Sequence, residues 1–182
     1  MKRRDFLKAS AVGTIAPASL FVSCNSSIEH MKRNVNNPIV LSTWAHGIPA
    51  NEDALQVLKD NGNAMDAAEA GARNSENDPL NTSVGLGGLP DEKGHVTLDS
   101  CVMDHTGNCG SVAFLQNIKH PVSVARKVME ETKHVMLVGE GARQFAISKG
   151  FEEVDLLTAD SKKAWEEWKI NQREMTTHET HD

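Results

Sequence analysis

Five features of this sequence have residue types and spacings that could do chemistry. His178 and His181 stand at i, i+3, a spacing that suits two metal ligands, but no third ligand is evident beside them, and a solvated polar tail with no metal accounts for the pair. Asp99 and Asp104 could work as general acid and base, although an Asp at a strand end is more commonly a turn former. Cys101 and Cys109 enclose seven residues. A disulfide across a hairpin is geometrically open to them, and so is the state of two free buried thiols. Neither belongs to a CxxC, so a zinc or redox site lacks support. Gly85-Leu86-Gly87-Gly88 invites a dinucleotide-binding reading, but Pro90 follows where a helix would have to begin and no strand leads directly into the glycines. The helix N-terminus that would hold the phosphates is therefore missing, and packing or a tight loop remains. Trp44 follows polar Ser42 and Thr43 at the end of an apolar run, where it either lines a pocket or plugs the core.

The elements that must position these residues follow from periodicity and punctuation. The run Ile39-Val40-Leu41 predicts a short buried strand that delivers Trp44 at its end. A helix over 51–61 follows, with Asn51 as its cap, Ala54, Leu55 and Leu58 on one face and Gly62 as its stop. A second helix over 64–74 carries Ala64, Ala67, Ala68, Ala70, Gly71 and Ala72, small enough to lie close against a neighbour. Residues 77–94 are dense in Gly and Pro and read as loop. His95 to Asp104 and Cys109 to Leu115 read as the two strands of a hairpin. Pro121 opens a helix to about Glu131, Val135 to Val138 is another buried strand, and Glu140 to Lys149 is a helix stopped by Gly150. Thr158 caps a last helix bearing Trp165 and Trp168, before a polar tail from Asn171 onward. The order β-α-α-ββ-α-β-α-α is a mixed α/β (α+β) arrangement with a partly antiparallel sheet. Four strands are few for a sheet sandwiched by helices.

Composition narrows the class without naming a reaction. The chain has 182 residues, 39% of them hydrophobic and 24% charged, which is enough apolar material for the core of one domain. Thirteen Gly and six Pro exclude a low-complexity chain, and no run approaches eighteen apolar residues, which excludes a helical membrane protein. The formal charge is −6; outside residues 1–23 fifteen bases face twenty-four acids, a net of −9, which argues against a nucleic-acid partner.

The first residues read as an address. Lys2-Arg3-Arg4-Asp5-Phe6-Leu7-Lys8 precedes a mildly apolar run from Ala9 to Val22 that ends in small residues, the pattern of an export signal, and the adjacent arginines resemble a twin-arginine signal. Leu20-Phe21-Val22-Ser23-Cys24 resembles a lipobox, with lipidation of Cys24 and plain cleavage nearby as the two outcomes. The expected organisation is a signal over 1–23, a polar tether over 24–37, a folded domain over 38–177 and a tail over 178–182. The expected location is periplasmic or lipid-anchored at the cell envelope, with membrane contact only through the signal or a lipid.

From Pro38 to Asp182 the sequence resembles the α chain of the glycosylasparaginases (aspartylglucosaminidases), members of the N-terminal-nucleophile hydrolases. The resemblance is carried by Pro38-Ile-Val-Leu-Ser-Thr-Trp44, by Asp78-Pro79 with Ser83-Val-Gly-Leu-Gly-Gly-Leu-Pro-Asp91, and by Gly94 with Val96-Thr-Leu-Asp99. It continues through Val102-Met-Asp104, Ile118-Lys119, Val124-Ala-Arg-Lys-Val128 and His134-Val-Met-Leu-Val-Gly-Glu140. The related isoaspartyl peptidases and plant-type asparaginases would show a His-Gly-Gly-Ala-Gly-like start in place of Leu41 to Trp44, and an Asn-Ala-Gly-x-Gly-like loop in place of Ser83 to Gly88.

The resemblance implies a four-layer αββα sandwich completed by a β chain, assembly as an (αβ)2 dimer, and neither cofactor nor metal. It also gives His181-Asp182 a meaning, since in this family a His-Asp pair precedes the threonine at which the precursor cuts itself. The expected catalytic residue is then a Thr immediately after Asp182, with none in this chain, which alone would be inactive. The implied substrate is the amide joining N-acetylglucosamine to a free asparagine, and Trp44 is the one substrate-binding residue placed here. Two other readings stand beside it: a β-aspartyl peptidase or asparaginase of the same superfamily, and a non-catalytic surface lipoprotein that binds glycan or peptide through Trp44 and the Gly-rich loop.

Overall fold

The computed structural model describes residues 37–179, with side chains through Gln172. Among the described residues the chain builds two helices, a three-stranded sheet with two more helices, and a long last helix. Helix α1, Gly47–Lys59, starts four residues before the expected cap Asn51. It grows out of a turn in which Gly47 N–H donates to Trp44 C=O at 2.9 Å and Ile48 N–H to Ala45 C=O at 3.1 Å. Pro49 is accommodated because it falls in the first turn, where a backbone N–H has no intrahelical acceptor. The left-handed residue after the helix is Asn61, at φ 64°, and not Gly62. Helix α2, Ala64–Asn77, is closed at its start by a capping box between Asn63 and Asp66. Small residues let the two helices pack closely, and Ala50, Ala54, Ala67 and Gly71 are buried.

Strands β1, Leu98–Met103, and β2, Cys109–Leu115, form the expected antiparallel hairpin, with Met103 opposite Cys109 and Cys101 opposite Ser111. Helix α3, Pro121–Glu131, has the predicted bounds. It crosses to β3, Met136–Val138, which pairs parallel to β2, so the sheet order is β1-β2-β3. Helix α4, Gly139–Ser148, follows at once. Helices α3 and α4 cover one sheet face around a core of Val102, Val112, Leu115, Val124, Ala125, Val128, Ala142 and Ala146. Gly110 sets the spacing: a Cβ there would run into the Ala125 carbonyl and the Met129 backbone. Helix α5, Ala159–Glu179, is capped by Thr158, whose Oγ1 accepts from Ser161 N–H at 3.3 Å. Its helical backbone passes through residues 171–179, where the sequence suggested a polar tail.

The other sheet face is open. Register places Cys101, Ser111 and Met136 side by side, with Ala113 beside Val138. Met103, Met136 and Val138 on this face are 67%, 54% and 55% exposed. The expectation that Val135–Val138 is a buried strand is therefore corrected: among the described residues β3 is an edge strand with one neighbour and one uncovered face. Ile39-Val40-Leu41 forms no strand at all, and Ile39 and Leu41 are 75% and 88% exposed. Its apolar pattern is that of a strand, but no described strand lies beside it to take its backbone hydrogen bonds. The cysteines are free and diagonal across the hairpin, and Cys101 is exposed, so neither the disulfide nor the pair of buried thiols is what the hairpin holds.

Candidate functional site

Trp44 stands at the end of that exposed segment, 74% accessible, just before the turn that launches α1. Two clefts meet at Trp44 and His46. One, of about 530 Å³, runs between the Ile39–Thr43 segment and the small residues of α1 and α2. The other, of about 620 Å³, is closed on its far side by the loop from Asp78 to Val84. Trp44 is thus part of the wall of both clefts and does not plug the core among the described residues. Its large apolar face beside hydroxyl- and amide-bearing residues suits a ligand with one apolar and one polar face.

The loop opposite is shaped from within. Asp78 Oδ1 accepts from Leu80 N–H at 2.9 Å, and Asn81 Oδ1 accepts from Ser83 Oγ–H at 2.6 Å, while Asn81 Nδ2 donates to Ser75 C=O at 3.3 Å. The Gly-rich stretch that follows is a packing device. Gly85, at φ 68°, lies against the Glu76 backbone, where no Cβ would fit. Leu86 N–H donates to Glu76 C=O at 2.9 Å, Gly87 N–H to Leu156 C=O at 2.9 Å, and Ser161 Oγ–H to Gly87 C=O. The amides that would have cradled a phosphate are used by the protein's own carbonyls.

Two charged groups behind the clefts were not visible in the sequence reading. Glu76 is 3% exposed at the end of α2. Its Oε1 accepts from Val122 N–H at 3.0 Å, an orphan donor in the first turn of α3, and its Oε2 lies 3.1 Å from His120 Nδ1. Burial pushes its carboxyl above the ordinary range, and the bonds from His120 and Val122 pull it back. Carrying the small-residue stripe of Ala68 and Ala72 one more turn lands on Glu76, the signal that could have revealed it. Arg126 of α3 bonds Asp66 at 2.8 Å, Glu69 at 2.7 Å and Glu130 at 2.6 Å, joining α3 to the first half of α2. The Arg126 bond holds the Asp66 carboxyl below the ordinary range.

Asp99 and Asp104 are not an acid–base pair. Asp99 Oδ1 accepts from Phe114 N–H at 2.8 Å across the hairpin irregularity. Asp104 organises the turn, accepting from Thr106 and Asn108, and these bonds hold its carboxyl far below the usual carboxylate range. Among the described residues no three His, Cys, Asp or Glu side chains gather to hold a metal ion, and no helix is long and apolar enough to cross a membrane. Cys24, His181 and Asp182 lie outside the described residues, as does the imidazole of His178.

A family model described as asparaginase matches residues 32–182. The chain is 49% identical over 183 residues to the N(4)-(Beta-N-acetylglucosaminyl)-L-asparaginase of Elizabethkingia miricola, covering 99% of this chain and 54% of that protein. It is 42% identical over 132 residues to the protein of the same name from Rattus norvegicus, covering 72% and 38%. To a putative one from Drosophila erecta it is 41% identical over 136 residues, covering 72% and 34%. The chain spans about half the length of the Elizabethkingia relative and less of the other two.

Proposed function

The chain belongs to the asparaginase family of N-terminal-nucleophile hydrolases, and on that premise we propose that it is the α-chain half of a glycosylasparaginase. The observation that carries this reading beyond the family is Trp44: an exposed aromatic wall where two clefts meet, with a loop of polar side chains facing it. In this reading the N-acetylglucosaminyl-asparagine amide lies against Trp44, and the nucleophile is a Thr directly after Asp182. The precursor cuts itself there: the Thr hydroxyl attacks the Asp182 carbonyl, the acyl group moves from N to O, and water hydrolyses the ester, with His181 shaping the turn. The freed α-amine, whose unperturbed pKa is about 7.7–8.0, takes the proton of its own hydroxyl as that hydroxyl attacks the substrate amide. The amine passes the proton to the departing amino sugar, a β-aspartyl ester remains, and water releases aspartate.

The open side of the fold supports a β chain as partner. An apolar sheet face with Met103, Met136 and Val138 exposed, and an unpaired strand-like segment at Ile39–Leu41, fit a second sheet laid over the first and a strand added beside Trp44. That arrangement is the four-layer αββα sandwich, assembled as an (αβ)2 dimer. Residues 1–23 act in this proposal as a twin-arginine signal and Cys24 as a lipid-bearing residue at the cell envelope. Assay of the full-length, self-processed protein against N-acetylglucosaminyl-asparagine and a β-aspartyl dipeptide tests the assignment. Preferred hydrolysis of the glycosylated asparagine is expected. Preference for the dipeptide would move the protein to the β-aspartyl peptidases.

A further inference from the structure

We propose that Glu76 is a positioning residue for the cleft beside Trp44, a buried clamp that fixes the Asp78–Val84 loop to the start of α3. The inference rests on the reading of that cleft as the substrate's recognition surface. Glu76 stands where the chain enters and leaves the loop. The loop begins two residues after it, and just past the loop's return the Glu76 carbonyl accepts from Leu86 N–H while Gly85 lies on the Glu76 backbone. The loop's other ties are short-range, Asn81 to Ser75 and Leu89 N–H to Thr82 C=O at 2.9 Å, so the last turn of α2 is the footing on which the whole cleft wall stands.

Toward α1 that footing is tied by Asn74, whose Nδ2 donates to Asp53 Oδ2 at 2.6 Å; toward α3 it is held by the Glu76 carboxylate. Arg126 docks α2 on α3 at the other end, through Asp66 and Glu69. Near the loop it is Glu76 that meets Val122 N–H and His120, and both carboxylate oxygens are engaged. A desolvated carboxylate is a costly way to join two helices. Here it supplies what an apolar residue cannot, an acceptor for an orphan N–H at a helix N-terminus, and so fixes the angle as well as the distance.

The test uses the full-length, processed protein with Glu76→Ala and Glu76→Gln, read by hydrogen exchange and by steady-state kinetics on N-acetylglucosaminyl-asparagine. Glu76→Ala is expected to speed amide exchange over residues 78–84 by about tenfold or more while the β1–β2 hairpin is unchanged, the mark of local opening. It should raise KM by about tenfold with kcat within about threefold, a loss of uniform binding. Glu76→Gln keeps the acceptor for Val122 and turns an amide toward His120, so it should restore both readings. If Glu76→Ala fails to fold, His120→Ala takes its place, with a smaller expected rise in loop exchange. Unchanged exchange over 78–84, or a rise spread equally over loop and hairpin, overturns the clamp. Exchange that responds as expected in an enzyme that ignores the glycosylated asparagine leaves the clamp standing and removes the functional reading instead.

Discussion

In the proposed function Trp44 concentrates recognition in one side chain, so its loss should be felt in binding and not in maturation. Trp44→Ala is expected to raise KM for N-acetylglucosaminyl-asparagine by about tenfold, near 1.4 kcal/mol, with cleavage after Asp182 intact. Initial rates together with intact masses check both halves, and an unchanged kcat/KM would take Trp44 out of the site. Asp104 makes a different prediction. Its folded pKa is depressed by the bonds from Thr106 and Asn108, so its stabilisation is full above the unfolded value near 4 and drains away as pH falls through the folded value. Asp104→Asn should therefore flatten the acid limb of Tm against pH below about pH 4. Superimposable limbs would show that the turn does not depend on the charge. This turn was legible because Asp at a strand end, followed by Gly107 and Asn108, is turn chemistry that acts within five residues. Glu76 was not legible, since its partners lie forty-four and forty-six residues away and only the fold brings them to it.

At the scale of elements, α3 is the piece on which the others are assembled. Pro121 at its first position and an apolar stripe of Val124, Ala125 and Val128 gave its bounds from sequence, because both signals are local. The start of α1 was misplaced for the same kind of reason. Asn51 is a good cap by type, but the turn at Trp44 had already begun the helix and Pro49 costs nothing in a first turn. Two substitutions test how α3 is held. Arg126→Met leaves Glu69, itself only 18% exposed, without its cation, and should lower stability by about 1–3 kcal/mol by chemical denaturation. Gly110→Ala drives a Cβ into the α3 backbone, which has no side chain to yield, and should cost about 1–3 kcal/mol. A neutral Gly110→Ala would mean that α3 does not lie on β2 as closely as described.

For the whole molecule, what the sequence could not foretell is which of its strand-like segments lie open among the described residues. Ile39-Val40-Leu41 and Val135–Val138 have the composition of buried strands, yet burial is a property of the partner as much as of the segment, and here both lie open. In the proposed assembly these surfaces become the seam with the β chain. Met136→Glu places a charge in that seam and should reduce recovery of the paired chains well below wild type by size exclusion, while helix content by circular dichroism stays the same. Full recovery would place the seam elsewhere. The most direct test of the proposed function is intact-mass analysis of both chain ends in the active protein purified from its source. A first chain ending at Asp182 and a second beginning with Thr, together releasing aspartate from N-acetylglucosaminyl-asparagine, is the result expected. A single uncut chain, or an active enzyme whose second chain begins with another residue, would contradict it.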